Sequence, residues 1–254
     1  MQRIYCRLLL VPALVTVLAG CAVQEQSGMF GGASDEEAAA INARLGAGYL
    51  RRGDLQEADD KLQRALEQDS RNADAHAAYA ILQMRLDDPD KAEEHFDRAL
   101  RLEPDSPQIQ NNFATLLCEQ GDYDRAIELF LEAASNRLYD TPAYAYANAG
   151  TCARDAGRDE EARDYFHQAL DVDPRFARPL LELAELAHDQ EQIGAAADHL
   201  ERYHERARQS ARSLWLGVRI ERMRDDREAA DEYGRSLVRH FPDSNEAQRF
   251  LETR

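Results

Sequence analysis

One spacing recurs along this chain: a small residue, a bulky apolar one four places later, and an alanine three places after that. Ala58, Ala92, Ala126 and Ala162 lie 34, 34 and 36 residues apart. Leu62, Phe96, Phe130 and Phe166 follow them, and then Ala65, Ala99, Ala133 and Ala169. Twelve residues upstream of each leading alanine stands Gly46, Ala80, Ala114 or Gly150. A fixed period of this length admits few folds. Glycine turns ("RRGDL", "EQGDY", "DAGRD") divide a period into two apolar helical stretches. Each stretch holds a helix of about 13 residues, roughly 20 Å long. The small residues let the two helices approach closely, and the bulky residue fills the space between units. Neither helix buries enough surface alone, so each unit must rest on its neighbour.

This is the pattern of the tetratricopeptide repeat, and the resemblance covers residues 35–254. Units begin near 39, 73, 107, 143, 177 and 210. The last two are weaker, carried by Ala184, Ala196, Leu200 and Tyr203, then by Leu216, Gly217, Ala229 and Tyr233. The resemblance implies an all-α fold, a right-handed superhelix of about six antiparallel helix pairs with a C-terminal capping helix. Asp243 or Ser244 supplies the N-cap of that last helix. Ser34 and Glu37 have capping-box spacing ahead of the first. "LYDTP" at 138–142 holds the two extra residues of the stretched period, and a local change in stacking is expected there.

Residues 1–20 read as a signal peptide. Arg3 and Arg7 precede an uncharged apolar run and "LAGC". That run is shorter than the roughly 20 residues that span a bilayer. The cysteine after Leu-Ala-Gly resembles a bacterial lipobox, which implies acylation of Cys21 after cleavage before it. Acyl chains at that residue exceed what stable anchoring requires. Ala22, in place of Asp, implies sorting to the outer membrane, facing the periplasm. Residues 21–34 read as a lipidated cysteine and a flexible tether. Loss of Arg3 and Arg7 takes the net charge from −17 to −19. Such acidity excludes phosphate-backbone binding, so no nucleic-acid partner is expected. Cys118 and Cys152 then remain, and an oxidising compartment favours a disulfide between them. They fall at the twelfth and tenth places of neighbouring first helices, at nearly the same height.

The chain lacks the motifs of an enzyme. It has no His-Glu-x-x-His, no Gly-x-Ser-x-Gly and no phosphate loop. His95, His167 and His188 read as solvated or packed side chains, and no cofactor, metal or small-molecule substrate is expected. The many carboxylates read as outer helix faces paired with arginine at i, i+4. The remaining surface is a groove. In a tetratricopeptide superhelix the first helix of each unit lines the concave side at about the second, fifth, ninth and twelfth places. Those places hold Ala43, Ala47 and Leu50 in the first unit, and Ala77, Ile81 and Met84 in the second. Asn111 and Thr115 follow in the third, and Tyr144, Ala147 and Thr151 in the fourth. A small and apolar lining suits an extended peptide of a protein partner. A register shifted by one place would put some of these residues in the core instead. The chaperone-binding carboxylate clamp needs Lys and Asn where this chain has Ala43 and Ala47, and is rejected.

Three stretches carry a narrower resemblance: "NNFATLLCEQGDYDRAIELFLEAA", "LYDTPAYAYANAGTCARDAGRDEEARDYFHQAL" and "SARSLWLGVRIERMRDDREAADEYGRSLVRHFP". With the lipobox and six units, the chain resembles the type IV pilus biogenesis lipoproteins, the outer-membrane pilotins of the PilF/PilW family. The resemblance implies a non-enzymatic adaptor that binds the pilus secretin subunit and promotes its outer-membrane localisation and multimerisation. The alternative is a repeat lipoprotein of the outer-membrane β-barrel assembly machinery, or a general periplasmic scaffold.

Overall fold

The structure is a computed structural model and describes residues 34–253. The signal peptide, Cys21, Ala22 and the tether lie outside the described residues.

Thirteen helices occupy the described residues. They alternate as A and B members of six pairs. The pairs are α1 (Asp35–Arg52) with α2 (Leu55–Gln68), α3 (Ala73–Arg85) with α4 (Pro89–Leu102), and α5 (Pro107–Gln120) with α6 (Tyr123–Ser135). They continue with α7 (Pro142–Asp155) and α8 (Asp159–Val172), α9 (Arg178–Asp189) and α10 (Ile193–His204), and α11 (Ala211–Met223) and α12 (Arg227–His240). The short α13 (Asn245–Glu252) closes the stack. The chain thus forms a tetratricopeptide superhelix, all helical.

Local chemistry sets the ends of the helices. The Asn72, Asp88, Asp226 and Ser244 side chains each accept a hydrogen bond from the backbone N–H three residues on, which satisfies one otherwise unpaired donor. Ser210 and Ser213 form a reciprocal capping box at α11. Every A–B turn contains one left-handed residue: Gly53, Asp87, Gly121, Gly157, Glu191 or Asp225, with φ between 59° and 86°. The turn geometry therefore repeats where the glycine does not.

The sequence period becomes packing at the A–B contact. A Cβ on Gly46 would lie 2.5 Å from Leu62, on Gly150 2.6 Å from Phe166, and on Gly217 2.7 Å from Tyr233. The helix pairs cross at these glycines because only hydrogen leaves room for the opposing side chain. Ala80 and Ala114 serve at the same place opposite Phe96 and Phe130, and all four are buried. Phe96 and Phe113 stack with ring centroids 5.4 Å apart, joining one unit to the next. The largest buried cluster runs without a break from Ala73 to Ile220.

At 136–141, the stretched junction folds back on the stack. Tyr139 packs on Ala133, Ala134 and Ala145, while Leu138 is 86% exposed. α6 consequently lies along α7 more extensively than any other B helix lies along the following A helix. The carboxylates depart from the i, i+4 expectation. Arg125 reaches from α6 to Glu93 and Asp97 on α4, and Arg158 reaches Asp124 across the next seam. In these pairs an arginine of one unit lies within reach of a carboxylate on the preceding B helix.

Candidate functional site

Curvature identifies the inner surface. Each A helix touches the next A helix, whereas among the described residues no two successive B helices approach within 8 Å at their Cα atoms. Elements on the inside of a curved stack meet and those outside splay, so the A helices form the concave face.

The expected lining separates into two groups. Ala47, Ile81, Met84, Asn111, Thr115 and Thr151 are partly accessible, and Tyr144 is half exposed. Ala43, Leu50, Ala77 and Ala147 are corrected: they are buried core residues. Ala43 packs on Ala65 and Ala75, and Leu50 packs with Leu62 and Leu82. The fifth place points at the neighbouring A helix, not into the groove, so it must be small or apolar. Asn111 is the polar exception at this place. It accepts a hydrogen bond from Asn148 Nδ2 at 3.0 Å, which answers its burial with a partner.

Cys118 and Cys152 are joined as a disulfide between α5 and α7, with Cα atoms 5.8 Å apart. Cys118 is partly accessible and Cys152 is buried. The bridge forms the floor of a cleft of about 230 Å³ walled by Thr115, Glu119, Asn148, Thr151, Asp155 and Arg178.

Beyond this cleft the concave face becomes a charge ladder that inspection of single helices missed. Arg154 on α7 pairs with Glu182 and Glu185 on α9. Arg212 on α11 binds the same two carboxylates, donating to Glu182 Oε1 at 2.9 Å and Glu185 Oε1 at 2.5 Å. Hydrogen bonds from the Arg212 guanidinium to Glu185 and Glu182 hold its pKa above the ordinary arginine value. Glu182 is 4% exposed, so its buried charge depends on the direct ion pairs with these two arginines. One step further, Arg219 donates to Asp189 at 3.1 Å and stands 2.9 Å from buried His188. Partners lie 27 to 31 residues apart. An arginine and an acid one repeat apart on the A-helix face were therefore the signal.

Among the described residues no three potential metal ligands gather. His76 and His95 lie Nδ1 to Nδ1 at 3.0 Å, with His76 Nε2 3.1 Å from the Ser70 carbonyl. Burial lowers both pKa values. Among the described residues no helix is long and apolar enough to cross a membrane.

Models of the tetratricopeptide repeat match residues 49–111, 105–175 and 148–211. The chain is similar to the type IV pilus assembly protein PilF of Pseudomonas aeruginosa, with 32% identity across 96% of this chain and 97% of that one. Among solved structures, Pseudomonas aeruginosa pilF superposes at a TM-score of 0.76 with 32% identity, covering 87% of this chain and 99% of that one. PilW, described as a widely conserved type IV pilus biogenesis factor, superposes at 0.78 with 31% identity, covering 84% and 98%.

Proposed function

This chain belongs to the PilF/PilW family of type IV pilus biogenesis proteins, and on that premise we propose that it is a non-enzymatic adaptor for the pilus secretin subunit. In this reading the concave A-helix face holds a segment of the subunit. Cys21 carries acyl chains that place the protein on the periplasmic face of the outer membrane, and Ala22 permits that sorting. The anchor raises the effective concentration of captured subunits where the pore assembles. One observation carries the reading: similarity to a pilus assembly protein covers 96% of this chain and 97% of that one. The partly accessible groove residues Ala47, Ile81, Met84, Thr115 and Tyr144 suit a peptide ligand, and the family relationship supplies the secretin as its source.

The test is co-purification from detergent-solubilised outer membrane. Recovery of the secretin subunit, with loss of its multimer or mislocalisation in a strain lacking this protein, is the expected result. Recovery of the β-barrel assembly machinery without secretin would refute the proposal. An Ala22→Asp variant should fractionate with the inner membrane; unchanged outer-membrane location would remove Ala22 from the sorting argument.

A further inference from the structure

We propose that the cleft between α5, α7 and α9 takes an extended peptide that sets a carboxylate against Arg178 and a basic side chain against Glu119 and Asp155. This rests on the concave face being the partner-binding face, and adds the chemistry of what is bound there.

Arg178 is the unusual element. Every neighbouring arginine on this face has an acid: Arg154 and Arg212 share Glu182 and Glu185, and Arg219 has Asp189. Arg178 instead donates from Nη2 to neutral groups, Asn148 Oδ1 at 2.7 Å and Thr151 Oγ1 at 3.4 Å. Those groups are themselves held. The Asn148 amide nitrogen donates to Asn111, and the Thr151 hydroxyl donates to the Ala147 carbonyl. The guanidinium is therefore oriented without a direct ion pair. Among the described residues no carboxylate lies within 4.0 Å of it, and its Nε and Nη1 make no hydrogen bond. Burial lowers its pKa, outweighing the attraction of Glu182 one turn along α9, which makes no direct ion pair with it. A guanidinium with two open donors matches a carboxylate.

The surroundings give the ligand direction and length. Tyr144 and Phe176 form a tilted ring pair beside Arg178, centroids 4.5 Å apart, with Tyr144 half exposed. Accessible aromatics next to an arginine are typical interface anchors. The opposite end of the cleft is acidic: Glu119 and Asp155 are exposed, and neither has an ion-pair partner among the described residues. From Asn148 to Asp155 is seven residues of α7, about 10 Å along the helix. An extended strand covers that distance in about three residues.

The test is selection of random dodecapeptides displayed against the detergent-solubilised full chain, from one library with internal peptides and one with free C-termini. Wild type should enrich Asp or Glu about three residues from Lys or Arg. The enrichment should vanish with Arg178→Gln and survive in part with Arg178→Lys. The chain's net charge of −17 repels acidic peptides in bulk, so enrichment of acids isolates the local site. Enrichment from the free-terminus library alone assigns the carboxylate to a chain end; from the internal library, to a side chain. On unaltered protein, replacing the selected peptide's acid by its amide should weaken binding about tenfold or more. That arm needs no folded variant. Absence of acidic enrichment, or enrichment and affinity indifferent to Arg178→Gln, overturns the proposal. Selection does not involve the secretin, so failure to co-purify secretin refutes the adaptor reading separately.

Discussion

Reducing the Cys118–Cys152 bridge is the perturbation with the most calculable consequence. The bridge closes a loop with a sequence separation of 34 residues. Chain entropy for such a loop is about 13 cal/mol/K, or about 4 kcal/mol at 25 °C. The Cα separation of 5.8 Å lies within the ordinary disulfide range. A repeat array couples each unit mainly to its neighbours, so the effect should be graded along the chain. Backbone amides of α5 to α8 should lose most protection on reduction, and those of α1 and α13 least. The assay is urea unfolding followed by circular dichroism, oxidised against reduced, with amide exchange by mass spectrometry. A Cys118→Ala/Cys152→Ala chain serves as a redox-insensitive control. Alkylation of both thiols without reductant would show that the bridge does not form. A difference under about 1 kcal/mol, with the bridge formed, would refute the loop-entropy reasoning.

Four further predictions follow from the packing and the charges. Gly150→Ala places a Cβ 2.6 Å from the ring of fully buried Phe166 and should cost about 1–3 kcal/mol by overpacking. Adding Phe166→Leu should recover part of that loss in a double-mutant cycle of unfolding midpoints. Glu191→Gly, at φ 59°, should raise stability by about 0.5–1 kcal/mol, while Gly121→Ala, at φ 86°, should lower it by about 1 kcal/mol; equal signs in thermal melts would contradict this. Arg212→Ala leaves buried Glu182 with one arginine and should cost about 3 kcal/mol, against about 0.5 kcal/mol or less for exposed Arg52→Ala. His76 and His95 have folded pKa values below their unfolded value of 6.5. The unfolded chain then takes up protons first, so stability is fully present above about pH 6.5 and declines as pH falls toward the folded values. The urea midpoint should fall from about pH 7 to 5.5, less steeply in His76→Gln/His95→Gln; identical slopes would remove the pair as the cause.

The fold was legible because the repeat encodes a contact rather than a propensity. Gly46 and Leu62, or Gly150 and Phe166, are 16 residues apart in every unit, and that pairing forces the A–B crossing whatever covers the outer surface. Turn geometry was half legible. Gly53, Gly121 and Gly157 mark their left-handed positions, whereas Asp87, Glu191 and Asp225 adopt the same conformation without glycine, and no residue preference announces a Glu there. The groove was less legible still, since a concave face and an inter-helix seam lie only one or two helical places apart. At the fifth place Ala43, Ala77 and Ala147 fell into the core with Leu50 from the twelfth. Small apolar residues cannot distinguish the two surfaces, because both favour close approach.

Charge resolves what size cannot. A buried seam accepts an ion only with a partner, so acids and arginines 27 to 31 residues apart across α7, α9 and α11 mark where neighbouring A helices face each other. The same rule makes the exceptions informative. Where the ladder is complete, at Glu182 and Glu185, the arginines join units and have little capacity left for a ligand. Where it is incomplete, at Arg178, orientation is supplied by the neutral groups of Asn148 and Thr151 without a direct ion pair. Stability alone does not explain that arrangement, because an acid one repeat away would have held the helices together as it does in the next unit. An oriented cation with open donors and no carboxylate in contact, on the concave face, follows instead if that carboxylate arrives with the partner.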